Sequence, residues 1–287
     1  MKKPSKTMAD LGLLSVTVFW GTTFILSKQV LEKISLLNYL GIRLGFAALC
    51  MLLLSIKKIG KINRQTVRDG MILGILLFFS YLFQMWGIQY TSASNAGFIT
   101  GLNVVLVPVF SILLFKDKAR PASLIGVIFA TSGLYLLSGG DFTALNTGDW
   151  LVFTCAVVVT FHVIFTGKFA VRHDVHLLTL VQLTTIAVLG LILMLFEKQP
   201  VKMISTDIYL ILIYLALFGT VYTFFMQTAM QRYTTATRTA LVFSMEPVFA
   251  ALFAYTLAGE TMGTLGWFGG GLILSGMIIA EIRWTND

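Results

Sequence analysis

The sequence predicts an all-α, polytopic membrane protein with ten transmembrane helices, arranged as two inverted five-helix repeats around a central cavity. Of its 287 residues, 57% are hydrophobic and only 12% are charged, whereas ordinary soluble domains carry about 25% charged residues. The charges are also clustered, and none occurs in residues 70–115, 122–140, 175–196 or 261–280. Long apolar stretches with almost no charge are typical of membrane-spanning helices.

The individual spans follow from cutting the chain at its charges and turn residues. This gives ten segments of about 20 residues, the length that crosses roughly 30 Å of hydrocarbon. The predicted spans are residues 9–27, 36–56, 69–90, 94–115, 119–139, 148–167, 176–196, 207–231, 236–258 and 262–281. Alternating ten-residue segments, which would indicate a membrane β-barrel, are absent from the sequence.

Lysine and arginine residues determine the predicted orientation. With the N-terminus in the cytoplasm, sixteen of them fall on the inside face and four on the outside face, and Arg43 lies within the second span. Positive charge is typically in excess on the cytoplasmic side, so both termini are predicted to be cytoplasmic. The protein is predicted to lie in the inner (cytoplasmic) membrane of the cell. The net charge of +8 does not indicate a nucleic-acid partner, because the basic residues lie in short connectors and form no contiguous face.

An internal repeat divides the chain into residues 1–143 and 144–287. A shift by half the length of the chain places the third to fifth spans on the eighth to tenth, so that Gln84 meets Gln227 and Gly133 meets Gly276. Because each copy has an odd number of spans, the two copies have opposite orientations in the membrane. Inverted repeats of this kind are typical of transporters whose halves rock about a site near the bilayer midplane.

Short motifs occur in three of the apolar segments. They are Phe-Trp-Gly-Thr-Thr-Phe at residues 19–24 with Lys28, Arg43 in the second span, and Glu-Pro-Val-Phe-Ala-Ala at residues 246–251, followed by Gly259 and Glu260. With the repeat, these motifs resemble the drug/metabolite transporter superfamily, in its ten-span form with two EamA-type repeats. The resemblance implies transport of small metabolites across a bacterial cytoplasmic membrane.

Glu246 is the ionisable residue deepest in a predicted span. Such a residue costs at least about 2.5 kcal/mol on insertion scales and usually faces a cavity or a partner. Pro247 lacks an N–H and leaves the carbonyl of Phe243 without its helical donor, so we expect a helix break there and a second one at Pro108. The carboxyl group can take up a proton for coupling or meet a cationic substrate; the alternative is a role in helix packing alone.

The repeat indicates which polar residues accompany Glu246. At the same offset Asn103 pairs with Glu246, as Gln84 pairs with Gln227, and we expect these four residues to surround a central cavity. Tyr81 lies three residues before Gln84 and therefore shares its helix face. For the glutamines, hydrogen bonding between helices is the alternative.

Two further ionisable residues have both structural and functional interpretations. Arg43 is close enough to the outer surface to snorkel or to bind backbone carbonyls, and it can instead attract an anionic group of the substrate. His162 is the one histidine in the interior of a predicted span, since His176 lies at the end of its span. His162 is either a packing residue or a proton relay. It lies near the position in the second copy that Trp20 has in the first.

Aromatic residues complete the predicted site. Trp20 lies in the middle of the first span beside Thr22, and with Tyr81, Phe161 and Tyr222 it is expected to line a cavity suited to apolar or cationic organic molecules. The glycine-rich segment 266–270 is expected to pack closely against another helix of the same chain.

Missing motifs exclude several function classes. The sequence has no Walker loop, no His-Glu-x-x-His and no nucleophile elbow, so we expect no enzyme, no metal and no other cofactor. A secondary carrier remains, and amino-acid or related metabolite export by alternating access, with protons as a candidate coupling ion, is the first interpretation. Organic cation or drug efflux and proton-independent facilitated transport are the alternatives. The expected partners are a small-molecule substrate and the lipid bilayer, with the protein a monomer or weak homodimer.

Overall fold

The computed structural model describes residues 6–91, 93–116, 121–137, 146–198, 205–258 and 263–281, and within these ranges the chain is helical and has no strand. The helices of the first part of the chain are α1 (Lys6–Leu31), α2 (Leu36–Ser55), α3 (Arg64–Gly87), α4 (Ala93–Gly101), α5 (Asn103–Phe115) and α6 (Pro121–Leu137). Those of the second part are α7 (Thr147–Ala170), α8 (Val175–Met194), α9 (Thr206–Ala216), α10 (Thr223–Gln231), α11 (Ala236–Phe243), α12 (Glu246–Ala258) and α13 (Thr264–Glu281). A 3₁₀ turn (Ile56–Lys61) follows α2, and a π-helical segment (Leu217–Tyr222) joins α9 to α10.

Within the described residues, eight helical segments are long and apolar enough to cross a membrane. They are Thr7–Leu31, Leu36–Lys61, Arg64–Gly87, Ala96–Phe115, Thr147–Ala170, Val175–Met194, Thr206–Gln231 and Ala236–Phe253. Each overlaps one of the ten predicted spans. The other two predicted spans fall on α6 and α13, and the predicted motif residues Gly259 and Glu260 lie outside the described residues.

The outer surface of the helices agrees with a lipid environment. Large apolar side chains such as Leu54, Leu113 and Ile128 are 64%, 69% and 64% exposed. Extended apolar surface is rare on soluble monomers because its contact with water is unfavourable, whereas hydrocarbon chains solvate it well. The chain is therefore an all-helical protein with several helices suited to crossing a bilayer.

Polar N-cap residues precede five of the described helices. The side chains of Ser35, Asn63, Asn146, Asp174 and Thr235 accept hydrogen bonds from the first-turn N–H groups of α2, α3, α7, α8 and α11. These N–H groups have no partner within the helix, so a capping oxygen satisfies them at the helix end.

The offset between equivalent helices differs along the chain. Helices α2 and α8 have the same length and coincide end to end when Leu36 is placed on Val175. Helices α5 and α12 coincide instead at the slightly larger offset that places Asn103 on Glu246. By the offset of α2 and α8, His162 corresponds to Thr23, and Trp20 corresponds to Val159. The position equivalent to Trp20 is therefore one helical turn away from His162.

Both halves contain an interrupted helix at the same place. Helices α4 and α5 are separated at Leu102, and α11 and α12 are separated at Ser244 and Met245. Pro247 is the second residue of α12, where a missing N–H is tolerated. The predicted break at Pro108 is wrong, since this residue lies inside α5. Proline is tolerated in membrane helices when neighbouring groups satisfy the freed backbone carbonyl.

Helix packing joins the two halves extensively. Helix α2 packs on α8, α3 on α7 and α8, and α1 on α10, α11 and α12. Helices α6 and α13 touch backbone to backbone: a Cβ at Gly133 would lie 2.5 Å from the carbonyl oxygen of Gly269, and one at Gly276 would lie 2.6 Å from that of Gly126. The close packing predicted for the segment 266–270 is therefore present within the chain.

Candidate functional site

A cavity lies between α1, α2, α3, α7, α10 and the two interrupted helices. The empty space between its lining residues, the open mouth included, is about 590 Å³. Six of the predicted site residues line it, namely Trp20, Arg43, Tyr81, Gln84, Asn103 and Glu246.

The two helix interruptions supply the cavity with unsatisfied polar groups. Asn103 and Glu246 are the first residues after the breaks, and both are buried cavity-lining side chains. The Oδ1 atom of Asn103 has no hydrogen-bond partner. Glu246 is 8% exposed, and in the described part of the chain no hydrogen bond or ion pair engages its carboxyl group. Buried polar groups in native proteins are normally hydrogen-bonded, so a ligand or water is the expected partner here.

Arg43 is held inside the protein by neutral acceptors. Its side chain is 2% exposed. Nε donates to Thr220 Oγ1 at 3.2 Å, and Nη2 donates to the carbonyl of Gly219 at 3.2 Å and to the Tyr81 hydroxyl at 3.3 Å. Arg43 therefore does not snorkel to the surface. It binds a backbone carbonyl, as the alternative interpretation expected.

The remaining guanidinium nitrogen of Arg43, Nη1, donates to the hydroxyls of Tyr39 and Ser27. None of the five acceptors carries a formal charge, and no carboxylate pairs with Arg43 in the described chain. Its positive charge is therefore available to an anionic group that enters the cavity.

The π-helical segment makes the Arg43 site possible. Gly219 and Thr220, two of the acceptor residues, belong to it. A Cβ on Gly219 would lie 3.0 Å from Arg43 Nη2 and 2.9 Å from Thr23 Cγ2, so a larger residue there would force the guanidinium or Thr23 to shift. Sequence reasoning missed both residues, because a single Gly-Thr pair in an apolar run carries no signal for a π-helical turn.

Three aromatic rings form one side of the cavity, which we call the aromatic floor: Trp20, Phe224 and Phe243. The ring centre of Trp20 lies 5.0 Å from that of Phe243 and 5.5 Å from that of Phe224. Phe224 also contacts the ring of His162, with centres 5.7 Å apart. His162 does not line the cavity, but it contacts a ring that does.

Three other predicted site residues also lie outside the cavity lining. Each contacts a side chain on another helix or segment: Thr22 with Tyr214 at 3.0 Å between oxygens, Phe161 with Phe110 at 5.0 Å between ring centres, and Tyr222 with Ser15 at 2.7 Å between oxygens. Thr23, the neighbour of Thr22, lines the cavity. Successive helix residues point about 100° apart, which explains why Thr23 lines the cavity and Thr22 does not.

A second group of buried polar residues, the α7–α8–α10 cluster, comprises His162, Gln182, Gln227, Thr228 and Gln231. His162 Nε2 lies 3.2 Å from Gln182 Oε1, and Gln182 Nε2 donates to Thr228 Oγ1 at 3.4 Å. Gln227 Nε2 donates to Gln231 Oε1 at 3.2 Å, and Gln231 Nε2 donates to a backbone carbonyl of α7 at 2.5 Å. The predicted site residues His162 and Gln227 thus both belong to this polar group, and neither lines the cavity.

Three ion pairs join the first half of the chain to the second at one end of the molecule, which we call the ion-pair end. They are Asp10–Arg238, Lys58–Asp174 and Asp69–His173, the last depending on protonation of the histidine, with closest nitrogen–oxygen distances of 2.5, 3.0 and 2.8 Å. All six residues fall on or beside the predicted cytoplasmic connectors. Both side chains of the third pair are almost fully buried.

In the Lys58–Asp174 pair, at the molecular surface, opposing effects act on the pKa of the carboxyl group. Partial burial alone would raise the pKa of Asp174, but the hydrogen bond and charge of Lys58, together with two backbone N–H groups of α8, hold this pKa below its ordinary value. Because the Asp174 side chain is 41% exposed, water screens the pair and its contribution to stability is small.

Comparison with known proteins gives a consistent assignment. The EamA-like transporter family matches residues 7–139 and again residues 146–281. An uncharacterized transporter of Archaeoglobus fulgidus is 33% identical over 275 residues, covering 96% of this chain and 86% of that protein. The uncharacterized inner membrane transporter YedA of Escherichia coli is 22% identical over 281 residues, covering 94% of this chain and 90% of that protein. A solved crystal structure superposes with a TM-score of 0.78 at 17% identity, covering 96% of this chain and 97% of that one.

Proposed function

Because the chain belongs to the EamA-like transporter family, we propose that it is a secondary active transporter that exports small organic metabolites, amino acids first among them, across the inner membrane of the cell. The two copies of the repeat would rock about the central cavity and expose it alternately to each side. The equivalent positions of the interrupted helices and the paired packing of α2 with α8 and α6 with α13 support an inverted repeat.

The observation that carries the substrate class is the presence of a cation and an ionisable carboxyl group on one cavity. Arg43 and Glu246 both line it, and no ion pair joins them. Neither group has a counter-ion in the described chain, so a ligand that brings a negative group to one and a positive group to the other complements both. A zwitterion such as an amino acid does so, with its carboxylate at Arg43 and its ammonium group at Glu246.

Phosphorylated substrates fit less well. A phosphate group carries up to two negative charges, and sites for it usually combine several basic groups. The lining of the cavity offers one cation, Arg43, and one acidic residue. We therefore rank strongly anionic substrates below zwitterions.

Glu246 is the proposed site of proton coupling. Its carboxyl group lies in the cavity beside a helix break and lacks a protein partner in the described chain. A carboxyl that is neutral when protonated and charged when ionised changes the affinity of the site for an ammonium group, which links proton binding to substrate binding. Facilitated transport without protons is the alternative.

Organic cation or drug efflux is the second candidate function, and the aromatic floor favours it. The faces of aromatic rings attract cations, and Trp20, Tyr81, Phe224 and Phe243 all line the cavity with Glu246. If this candidate is correct, Arg43 serves only to position Tyr81 and the π-helical segment.

A ligand screen followed by transport assays separates these candidates. A ligand that binds only the folded state raises the melting temperature, so the purified protein is heated with amino acids, purines, vitamins and quaternary amines. We expect stabilisation by amino acids and accumulation of the same compounds in proteoliposomes with an imposed pH gradient. Stabilisation by quaternary amines alone would favour cation efflux, and vesicles of known orientation would give the direction.

A further inference from the structure

The α7–α8–α10 cluster contains polar atoms that the folded protein leaves unpaired. These are Nδ1 of His162 and Oε1 of Gln227, and close by in sequence the hydroxyl oxygens of Thr166 on α7 and Thr179 on α8. All four residues are at most 1% exposed. Thr166 lies four residues after His162, and Thr179 lies three residues before Gln182, so each shares a helix face with a member of the cluster.

The cluster also occupies positions in the second half of the chain that are equivalent to cavity-lining positions in the first. At the offset that superposes α2 on α8, His162 corresponds to Thr23 and Gln182 corresponds to Arg43. At the offset that superposes α5 on α12, Gln227 corresponds to Gln84. The three counterparts Thr23, Arg43 and Gln84 all line the cavity. Three cluster residues therefore occupy in the second half the positions that cavity-lining residues occupy in the first.

The cluster lies between the cavity and the ion-pair end. Phe224 lines the cavity and touches His162, so this ring contacts both the cavity and the cluster. Other residues lie closer to the ion-pair end than the cluster residues His162, Gln182 and Gln227 on the same helices. They are Thr166 on α7, Thr179 on α8 and Gln231 at the end of α10. The ion pairs between the halves lie at that same end.

We propose, on the basis of the transport function above, that the cluster is the closed second half of the substrate path, which becomes a hydrated polar passage when the ion pairs between the halves break. In that state the unpaired atoms of His162, Gln227, Thr166 and Thr179 bind water and the polar groups of the substrate. Phe224 is then the gate between the two halves of the path.

Cysteine accessibility tests the proposal without any substrate. In a background with Cys50 and Cys155 replaced by alanine, single variants Thr166→Cys and Thr179→Cys place a thiol beside the cluster. Thr160→Cys is the matched control: Thr160 is also fully buried on α7, but its hydroxyl already donates to the carbonyl of Ala156. It lies about 120° around the helix from Thr166.

The ion pairs are weakened by the isosteric changes Asp10→Asn, Asp69→Asn and Asp174→Asn, because asparagine still caps α8 at position 174. If the triple variant does not elute as a single folded species, Asp10→Asn with Asp174→Asn replaces it. A membrane-impermeant maleimide is added to sealed vesicles of both orientations.

We expect labelling at Thr166→Cys and Thr179→Cys to accelerate at least about tenfold when the ion pairs are weakened, from the ion-pair end only, with less than about a twofold change at Thr160→Cys. Equal acceleration at the control, labelling from the opposite end, or no labelling in the folded variant would overturn the proposal. If the labelling is as expected but no solute is transported, the proposed function fails and the hydrated passage stands.

Discussion

The two interrupted helices are alike in geometry and different in charge. Helices α5 and α12 begin at equivalent positions of the repeat, and the first residue of each lines the cavity. In the first half this residue is Asn103, a neutral amide, and in the second half it is Glu246, a carboxyl. Arg43 and its counterpart Gln182 differ in the same way. The repeat therefore explains where polar groups enter the membrane, whereas each charge of the cavity belongs to one half only.

The largest effect is expected from removing the charge that distinguishes the second interruption. Glu246→Gln makes the two breaks chemically similar and removes the group that can carry a proton, so transport driven by a pH gradient should fall at least about tenfold. Proteoliposome uptake with and without a gradient measures it, with Glu246→Asp as the charge-conserving control. Unchanged dependence on the gradient would reject coupling through Glu246.

The next effect concerns the cation on the first half. Arg43→Gln removes the cation of the cavity lining, so the site loses its attraction for the carboxylate of a zwitterion and the affinity should fall about tenfold, or about 1.4 kcal/mol. Arg43→Lys keeps the charge but loses the planar fork of donors and should recover only part of the affinity. Ligand-induced shifts of the melting temperature measure the affinity of each of the two variants for the zwitterion. Equal losses for zwitterions and for simple amines would instead assign Arg43 a structural role.

A third change makes the first interruption resemble the second. Asn103→Asp is nearly isosteric, and because Asn103 Oδ1 has no protein partner the fold should tolerate it. A second carboxyl at the cavity should raise affinity for amines a few-fold, about 1 kcal/mol, and lower affinity for zwitterions. Binding of paired amine and amino-acid ligands to the purified variant tests this. No change in either would place Asn103 outside the ligand site.

The smallest effect is expected at the paired glutamines. Gln84→Leu and Gln227→Leu each remove a neutral hydrogen-bonding group worth about 1 kcal/mol, so transport should fall a few-fold while expression and elution stay normal. Gln84 lines the cavity and Gln227 does not, so the loss at Gln84 should show in ligand affinity and that at Gln227 in transport rate alone. Normal uptake by well-folded variants would contradict both assignments.

Sequence reasoning located the helices well for a physical reason. A bilayer requires about 20 apolar residues per crossing and a polar group at each end, and both features are visible in single segments such as α2 with its Ser35 cap. The same reasoning identified Glu246, Asn103 and Gln84 as cavity residues because polar groups at membrane depth are rare and the repeat pairs them.

Features that depend on one residue of helical phase were not predictable. Thr22 and Thr23 are chemically equal in the sequence, and only the packing of α1 decides which one reaches the cavity. The first interruption occurs at Leu102 without a proline, while Pro108 is accommodated within α5. The acceptors around Arg43 come from α1, α2, α3 and the π-helical segment, so they are brought together only by the tertiary fold.

The π-helical segment Leu217–Tyr222 also distinguishes the second half of the chain from the first. Asn63 and Ser205 immediately precede the equivalent helices α3 and α9, and Gln84 and Gln227 are the paired glutamines further along. The interval from Ser205 to Gln227, which contains the segment, is a single residue longer than the interval from Asn63 to Gln84. A π-turn accommodates one residue more than an α-turn, which matches the difference. The segment thereby brings the Gly219 carbonyl of the second half to Arg43 of the first, so one additional residue of backbone joins the two halves at the cavity.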